Sequence, residues 1–173
     1  MNLLTQIYHK PNLSLEGKTV TREAVRAIVL NGDSVLMVFS KLNGDYKFPG
    51  GGVKRGESPE FALRRELMEE CGAQLRAILG EFGKVEEFDQ PKENQFDLFK
   101  MTSYYYICDV EEGFGQQNLD DYEFEYGFTP EWVSIDQAIQ TNRALLENPP
   151  PSIQRWVRRE LFVLEAIAKL LAH

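Results

Sequence analysis

With 173 residues, 43% of them hydrophobic and 27% charged, the chain is long enough for one domain with a buried core and has the composition of an ordinary soluble protein. A formal net charge of −8 argues against non-specific binding to nucleic acid or an anionic membrane, which depends on lysine and arginine neutralising phosphates; a phosphate-bearing partner is expected to enter through a metal ion. Two cysteines (Cys71, Cys108) and two isolated histidines (His9, His173) give no disulfide framework or imidazole site, and neither a long apolar run nor a signal-peptide pattern occurs, so a cytoplasmic protein is expected.

Residues 1–18 carry turn signals at Pro11-Asn12 and Glu16-Gly17 and are read as an N-terminal strand or hairpin. Basic side chains at Lys10, Lys18, Arg22, Arg26, Lys41, Lys47, Lys54 and Arg55 make this third locally basic, and are read as scattered and solvated. β-Branched and apolar residues in 19–30 and 34–40 flank Asn31-Gly32-Asp33, the pattern of a hairpin. A second turn at Asn43-Gly44-Asp45 leads through Tyr46-Lys47-Phe48 into Pro49-Gly50-Gly51-Gly52, whose glycines let main-chain amides approach a phosphate. A helix is predicted over 59–71, with Ser58 as N-cap, Pro59 at the first position and Gly72 as the left-handed residue after its end. A strand over 74–87, an exposed loop over 89–95 and a central strand over 99–110 follow. The acidic stretch 111–126 is read as a mobile loop. After it come a short strand at 128–134, a helix capped by Ser134 near 135–140, a break at Asn148-Pro149-Pro150-Pro151 and an amphipathic helix over 152–171, packed on the core or at a homodimer interface. This order predicts a single α/β domain over residues 1–173, its core at roughly 20–140, with a mixed β-sheet between helical layers.

The helix over 59–71 concentrates charge. At 100° per residue Glu66, Glu69 and Glu70 share a sector about 100° wide, while Phe61, Leu67, Met68 and Cys71 occupy the opposite half as the packing face. Like charges three and four apart repel by a few tenths of a kcal/mol, and a hard divalent cation removes that penalty. Mg²⁺ takes oxygen ligands and is usually held by carboxylates together with substrate phosphates, so the pattern points to a diphosphate-containing substrate.

From Gly51 the sequence reads Gly, five residues, Glu57, seven residues, then Arg65-Glu66-Leu67-Met68-Glu69-Glu70-Cys71-Gly72-Ala73. This resembles the signature of the Nudix hydrolases position for position, Ala73 being small for the final aliphatic place. The resemblance implies an α/β/α sandwich with the signature helix on one face of the sheet. It implies a Mg²⁺-dependent hydrolase, Mn²⁺ being the alternative cation, that cleaves a diphosphate bond in a nucleoside diphosphate linked to another moiety. Glu66 and Glu70 are expected as direct metal ligands, Glu69 as a third or through water, Glu57 as support for the metal's water shell or the loop, and Gly51 and Gly52 as main-chain neighbours of metal or phosphate. Arg65 is expected to point away from the substrate and orient Glu66. For the catalytic base the acidic loop offers Glu111, Glu112, Glu123 and Glu125; Glu125 is the first choice and Glu123 the second, with Glu66 itself a third. The expected partner is a small-molecule nucleotide derivative, with neither nucleic acid nor membrane. A nucleotide-sensing module without catalysis is the alternative, and an RNA-processing enzyme is disfavoured by the net charge and the lack of an evident basic groove.

Overall fold

The computed structural model describes residues 1–172; His173 lies outside the described residues. Its elements are β1 (Leu3–Tyr8), β2 (Thr19–Ile28), β3 (Leu30–Asn31), β4 (Ser34–Ser40), β5 (Tyr46–Lys47), α1 (Pro59–Cys71), β6 (Leu75–Asp89), β7 (Leu98–Val110), α2 (Asp121–Tyr126), β8 (Phe128–Ser134), α3 (Ile135–Glu147) and α4 (Trp156–Leu171). Alternation along β4 sets the layers, because successive side chains of a strand point to opposite faces. Val35 and Met37 enter a core shared with Ile135, Ile139, Val163 and Leu164 of α3 and α4. Leu36 and Val38 enter a second core with Ala62, Leu63 and Leu67 of α1. Helices therefore cover the sheets on both faces, as a mixed α/β sandwich requires.

One sheet has the order β1-β6-β7-β2, with β6 and β7 antiparallel and both outer strands parallel to their neighbours. The other holds β3, β4 and β5, with β8 antiparallel to β4. The hairpin expected around Asn31-Gly32-Asp33 is present but short, pairing only Leu30 with Val35 and Asn31 with Ser34. The ten residues of β2 pair with β7 instead, and the chain changes sheets at Val29. The outer edge of β2 is closed by the glycine loop: Val25 N–H donates to the Gly51 carbonyl at 3.0 Å, Ala27 N–H to that of Pro49 at 2.8 Å, and Val53 N–H to that of Glu23 at 2.9 Å. That pairing fixes the loop against the sheet and spares the strand an open edge.

Helix α1 begins and ends as its sequence predicts. Ser58 Oγ accepts the Phe61 N–H at 3.2 Å, and Gly72 takes φ 65°. Its faces differ from expectation: Phe61 and Met68 are 60% and 37% exposed, whereas Glu66 and Glu70 are 7% and 1% exposed. The segment 111–126, read as a loop, ends in the six-residue α2, where Glu123 accepts the Asp120 N–H at 2.8 Å and Gly127 takes φ 63°. Helix α3 runs on to Glu147 rather than stopping near 140, and α4 starts at Trp156 rather than 152. The N-terminal residues form a strand parallel to β6, not a hairpin. Among the described residues no helix is long and apolar enough to cross a membrane, and Cys71 and Cys108 are both buried and free.

Candidate functional site

Where the glycine loop, the buried flank of α1, α2 and the start of α4 meet the face of β2, β6 and β7, the structure has a cleft of about 1070 Å³. At its floor, carboxylate oxygens of Glu66, Glu70 and Glu123 lie within 4.8 Å of one another, and all three residues are buried. Glu66 and Glu70 are brought together by their separation of one helical turn. Glu123 joins them from α2, its carboxylate fixed by the Asp120 N–H at 2.8 Å and the Tyr122 hydroxyl at 3.1 Å. The glycine loop can lie this close because it lacks side chains: a Cβ on Gly51 would fall 2.5 Å from Glu66 Oε1, and one on Gly50, at φ 142°, 2.0 Å from the Val25 carbonyl oxygen.

Arg65 organises the rim with all of its donors. Nε and Nη2 hold the two oxygens of Glu57 at 2.7 and 2.9 Å, Nη2 also donates to the Gly52 carbonyl at 3.0 Å, and Nη1 reaches Glu66 at 2.6 Å and Glu69 at 3.1 Å. It thus contacts Glu66, and it lines the cleft rather than pointing away from it. Glu57 is bound to Arg65 and to the Lys54 N–H, so it braces the loop and stands outside the carboxylate cluster. The Arg65 hydrogen bond holds its carboxyl down at about 2 against the opposing effect of burial.

Glu70 is held from within. Its Oε1 pairs with the Lys47 ammonium at 2.5 Å and its Oε2 accepts the Gly50 N–H at 2.8 Å. Burial pushes its carboxyl up to about 7, with Lys47 opposing and Glu66 adding to the rise. Burial likewise raises Glu66, and Arg65 opposes it. Both carboxyls are raised chiefly by burial, each against one cationic partner. The donors are oxygens only, a hard set that suits Mg²⁺ or Mn²⁺, and they are close enough together for a cation to bridge.

The sequence-derived positions separate on this map. Glu66, Glu69, Arg65, Gly51 and Gly52 line the cleft, and Glu70 lies beneath it. Gly51, whose carbonyl accepts the Val25 N–H, lies against Glu66, and the Gly50 N–H donates to Glu70. Glu125 is exposed on α2 outside the cleft, Glu111 and Glu112 line a different depression beside Trp132, and Glu123 reaches the acids. The signal that would have placed it is Asp120-x-x-Glu123 with Gly127 directly after α2's last residue, a capping box with a glycine stop.

Sequence reading also missed the cleft's basic lining. Arg22, Arg26, Lys47, Lys54 and Arg55, read as scattered, all border it, together with Lys84 and Lys100. Arg26 is 8% exposed, its Nε has no hydrogen-bond partner among the described residues, and its Nη1 donates to the Gly50 carbonyl. The lining also includes Tyr122, Phe128 and Trp156, in edge and tilted contact with one another or with Tyr126.

Residues 20–157 match the NUDIX domain family. An RNA pyrophosphohydrolase of Sulfurovum sp. (strain NBC37-1) is 36% identical over 102 residues, which cover 55% of this chain and 62% of that protein; the chain thus spans less than two thirds of this relative's length. The fold is similar to that of a MutT NUDIX hydrolase from Burkholderia pseudomallei, with a TM-score of 0.55 and 19% identity over 82% of this chain and 96% of that one. It is also similar to a NUDIX hydrolase from Nitrosomonas europaea, with a TM-score of 0.51 and 21% identity over 72% of this chain and 79% of that one. With the family match running through most of the chain and the signature from Gly51 to Ala73 inside it, the protein belongs to the NUDIX family.

Proposed function

We propose that the protein is a Mg²⁺-dependent hydrolase that cleaves a diphosphate bond in a nucleoside diphosphate linked to another moiety. The observation that carries this reading is the buried convergence of Glu66, Glu70 and Glu123 in a cleft lined by basic and aromatic side chains. Glu66 and Glu70, with Glu69 beside them, would hold the cation; a Mg²⁺ bound there would offset phosphate charge and lower the pKa of a coordinated water. Arg65 fixes the Glu66 carboxylate through a charge-assisted bond, which keeps one ligand oriented before substrate arrives. Arg26 and Lys54, which border the cleft, offer positive charge to phosphate oxygens. Glu123 is the proposed base, since it is the acid of the 111–126 segment that reaches the cluster. Tyr122 and Trp156 supply faces on which a nucleobase stacks.

Pyrophosphohydrolysis of RNA is the second reading. The basic side of the cleft at Arg22, Lys84 and Lys100 favours it, although Glu86 pairs with both lysines, at 3.4 and 3.0 Å. The test is a panel of nucleoside diphosphate derivatives, nucleoside triphosphates and a short 5′-triphosphorylated RNA, assayed with Mg²⁺ for phosphate and pyrophosphate release. Turnover of the small molecules with the RNA inert supports the first reading, and the reverse supports the second. Tight nucleotide binding without turnover of anything establishes a sensing module in their place.

A further inference from the structure

We propose that Asp45, which does not itself line the cleft, is a positioning residue for the nucleobase: its carboxylate grips the Trp156 indole by the N–H and sets the plane of the ring on which a base stacks. This rests on the nucleotide reading above. Trp156 is the first residue of α4, is half-buried and lines the cleft, whereas Asp45 is 1% exposed. Asp45 Oδ2 accepts the Trp156 Nε1–H at 2.5 Å, across 111 positions of chain. Its other oxygen, Oδ1, has no hydrogen-bond partner among the described residues. Burial raises this carboxyl above its ordinary range, and the Trp156 hydrogen bond is the foremost effect opposing it. A buried acid is costly unless it is bonded, and here the indole supplies the bond.

The root of the acid is fixed. Asp45 closes the turn after β4, where the Gly44 N–H donates to the Ser40 carbonyl at 2.7 Å and the Ser40 N–H to the Asp45 carbonyl at 2.9 Å. One residue on, the Tyr46 backbone exchanges two hydrogen bonds with the Asn142 side chain of α3, at 3.0 and 2.8 Å. The indole rests against Tyr126 and Phe128, with ring centroids 6.1 and 6.5 Å away and interplanar angles of 56° and 79°. Tilted and edge contacts leave the ring's own torsion soft, because a terminal aromatic torsion has a broad well, and a directed bond to Nε1 removes that freedom. A platform oriented beforehand loses less side-chain freedom when a base arrives, so the acid acts on nucleotide affinity through the ring.

The test compares ligands with and without a base. The probes are the α,β-methylene analogues of ADP, GDP, CDP and UDP, whose bridge resists hydrolysis, and methylenediphosphonate, which has no base; each is titrated by calorimetry with Mg²⁺ present. Asp45→Leu removes the acceptor at similar size and is expected to weaken the tightest-bound nucleoside analogue by about fivefold or more, with methylenediphosphonate within about twofold of wild type. Asp45→Asn keeps an oxygen for the indole and should restore affinity to within about twofold, and in a Trp156→Phe background, where no N–H remains, Asp45→Leu should change nothing further. With Trp132→Phe in place Trp156 is the one tryptophan left, and Asp45→Leu should then increase acrylamide quenching of its fluorescence. Unchanged analogue affinity in Asp45→Leu, or equal losses for the analogue and methylenediphosphonate, overturns the proposal; Asp45→Ala, and after it Trp156→Phe, are read the same way should Asp45→Leu not fold. Wild type binding the nucleoside analogues no tighter than methylenediphosphonate overturns the proposal and leaves the hydrolase reading standing, whereas no binding of any probe overturns both.

Discussion

Two buried ionic networks lie side by side in this molecule. The one in α4 is closed: Arg159 reaches Glu87 at 2.6 Å and Glu160 at 2.5 and 3.0 Å, His9 takes the other oxygen of Glu87 at 2.9 Å, and the Phe48 N–H takes the other oxygen of Glu160 at 3.2 Å. The one on α1 is open, with three carboxylates within 4.8 Å and, among the described residues, no hydrogen bond to Glu66 Oε2. Their electrostatics follow. Burial pushes Glu87 up, but Arg159 and His9 outweigh it and bring the carboxyl to about 2, while burial wins at Glu70 and takes it to about 7. A network that satisfies its own charges holds a fold together; one that leaves acids under-compensated is prepared for a ligand.

The contrast can be broken in several ways. Removing the hub of the closed network, Arg159→Met, leaves two buried carboxylates without their cation and should cost about 3–5 kcal/mol of stability, read by urea unfolding. In the open network Glu66→Gln keeps the fold and should lower kcat by about 10²–10³-fold, checked by steady-state kinetics alongside the unfolding temperature. Glu123→Gln should lower kcat by about 10²-fold while Glu125→Gln stays within about twofold of wild type; similar losses in both would return the base to Glu125.

Proton linkage gives the two networks opposite signs. Glu87 titrates lower in the fold than its ordinary 4.5, so the stability it contributes is present above that value and is lost as pH falls towards about 2. Glu70 titrates higher, so its contribution is present below 4.5 and is lost as pH rises through about 7. Unfolding temperature followed against pH, without divalent ions, should lose part of its acid-side slope in Glu87→Gln and part of its slope between about pH 5 and 7 in Glu70→Gln.

What the sequence made legible was local. Ser58, Pro59 and Gly72 define α1 because caps depend on a few adjacent residues, and β4 and β8 stand out by their apolar, β-prone runs. The site was legible as far as one helix turn brings Glu66 and Glu70 together. What stayed hidden depends on partners distant in the chain. Nothing near β2 says that it pairs with β7 rather than folding back on β4, and nothing near Glu66 says that its flank of α1 is the buried one. Lys84 and Lys100 join the earlier basic residues only because β6 and β7 lie alongside β2. Glu123 is a different case: its capping box was in plain view, but the acidity of the surrounding segment suggested a loop.

The hydrogen bond from Phe48 to Glu160 spans 112 positions and ties the entry to the glycine loop to the last helix. Arg159 and Glu160 fall just past the stretch that matches the family, which ends at residue 157, and β1 falls before it. An expression fragment trimmed to those borders would retain every signature acid and still forfeit the strut that tensions the loop above them. Engineers shortening this chain should therefore set the cut after Leu171, not at the edge of the recognisable motif.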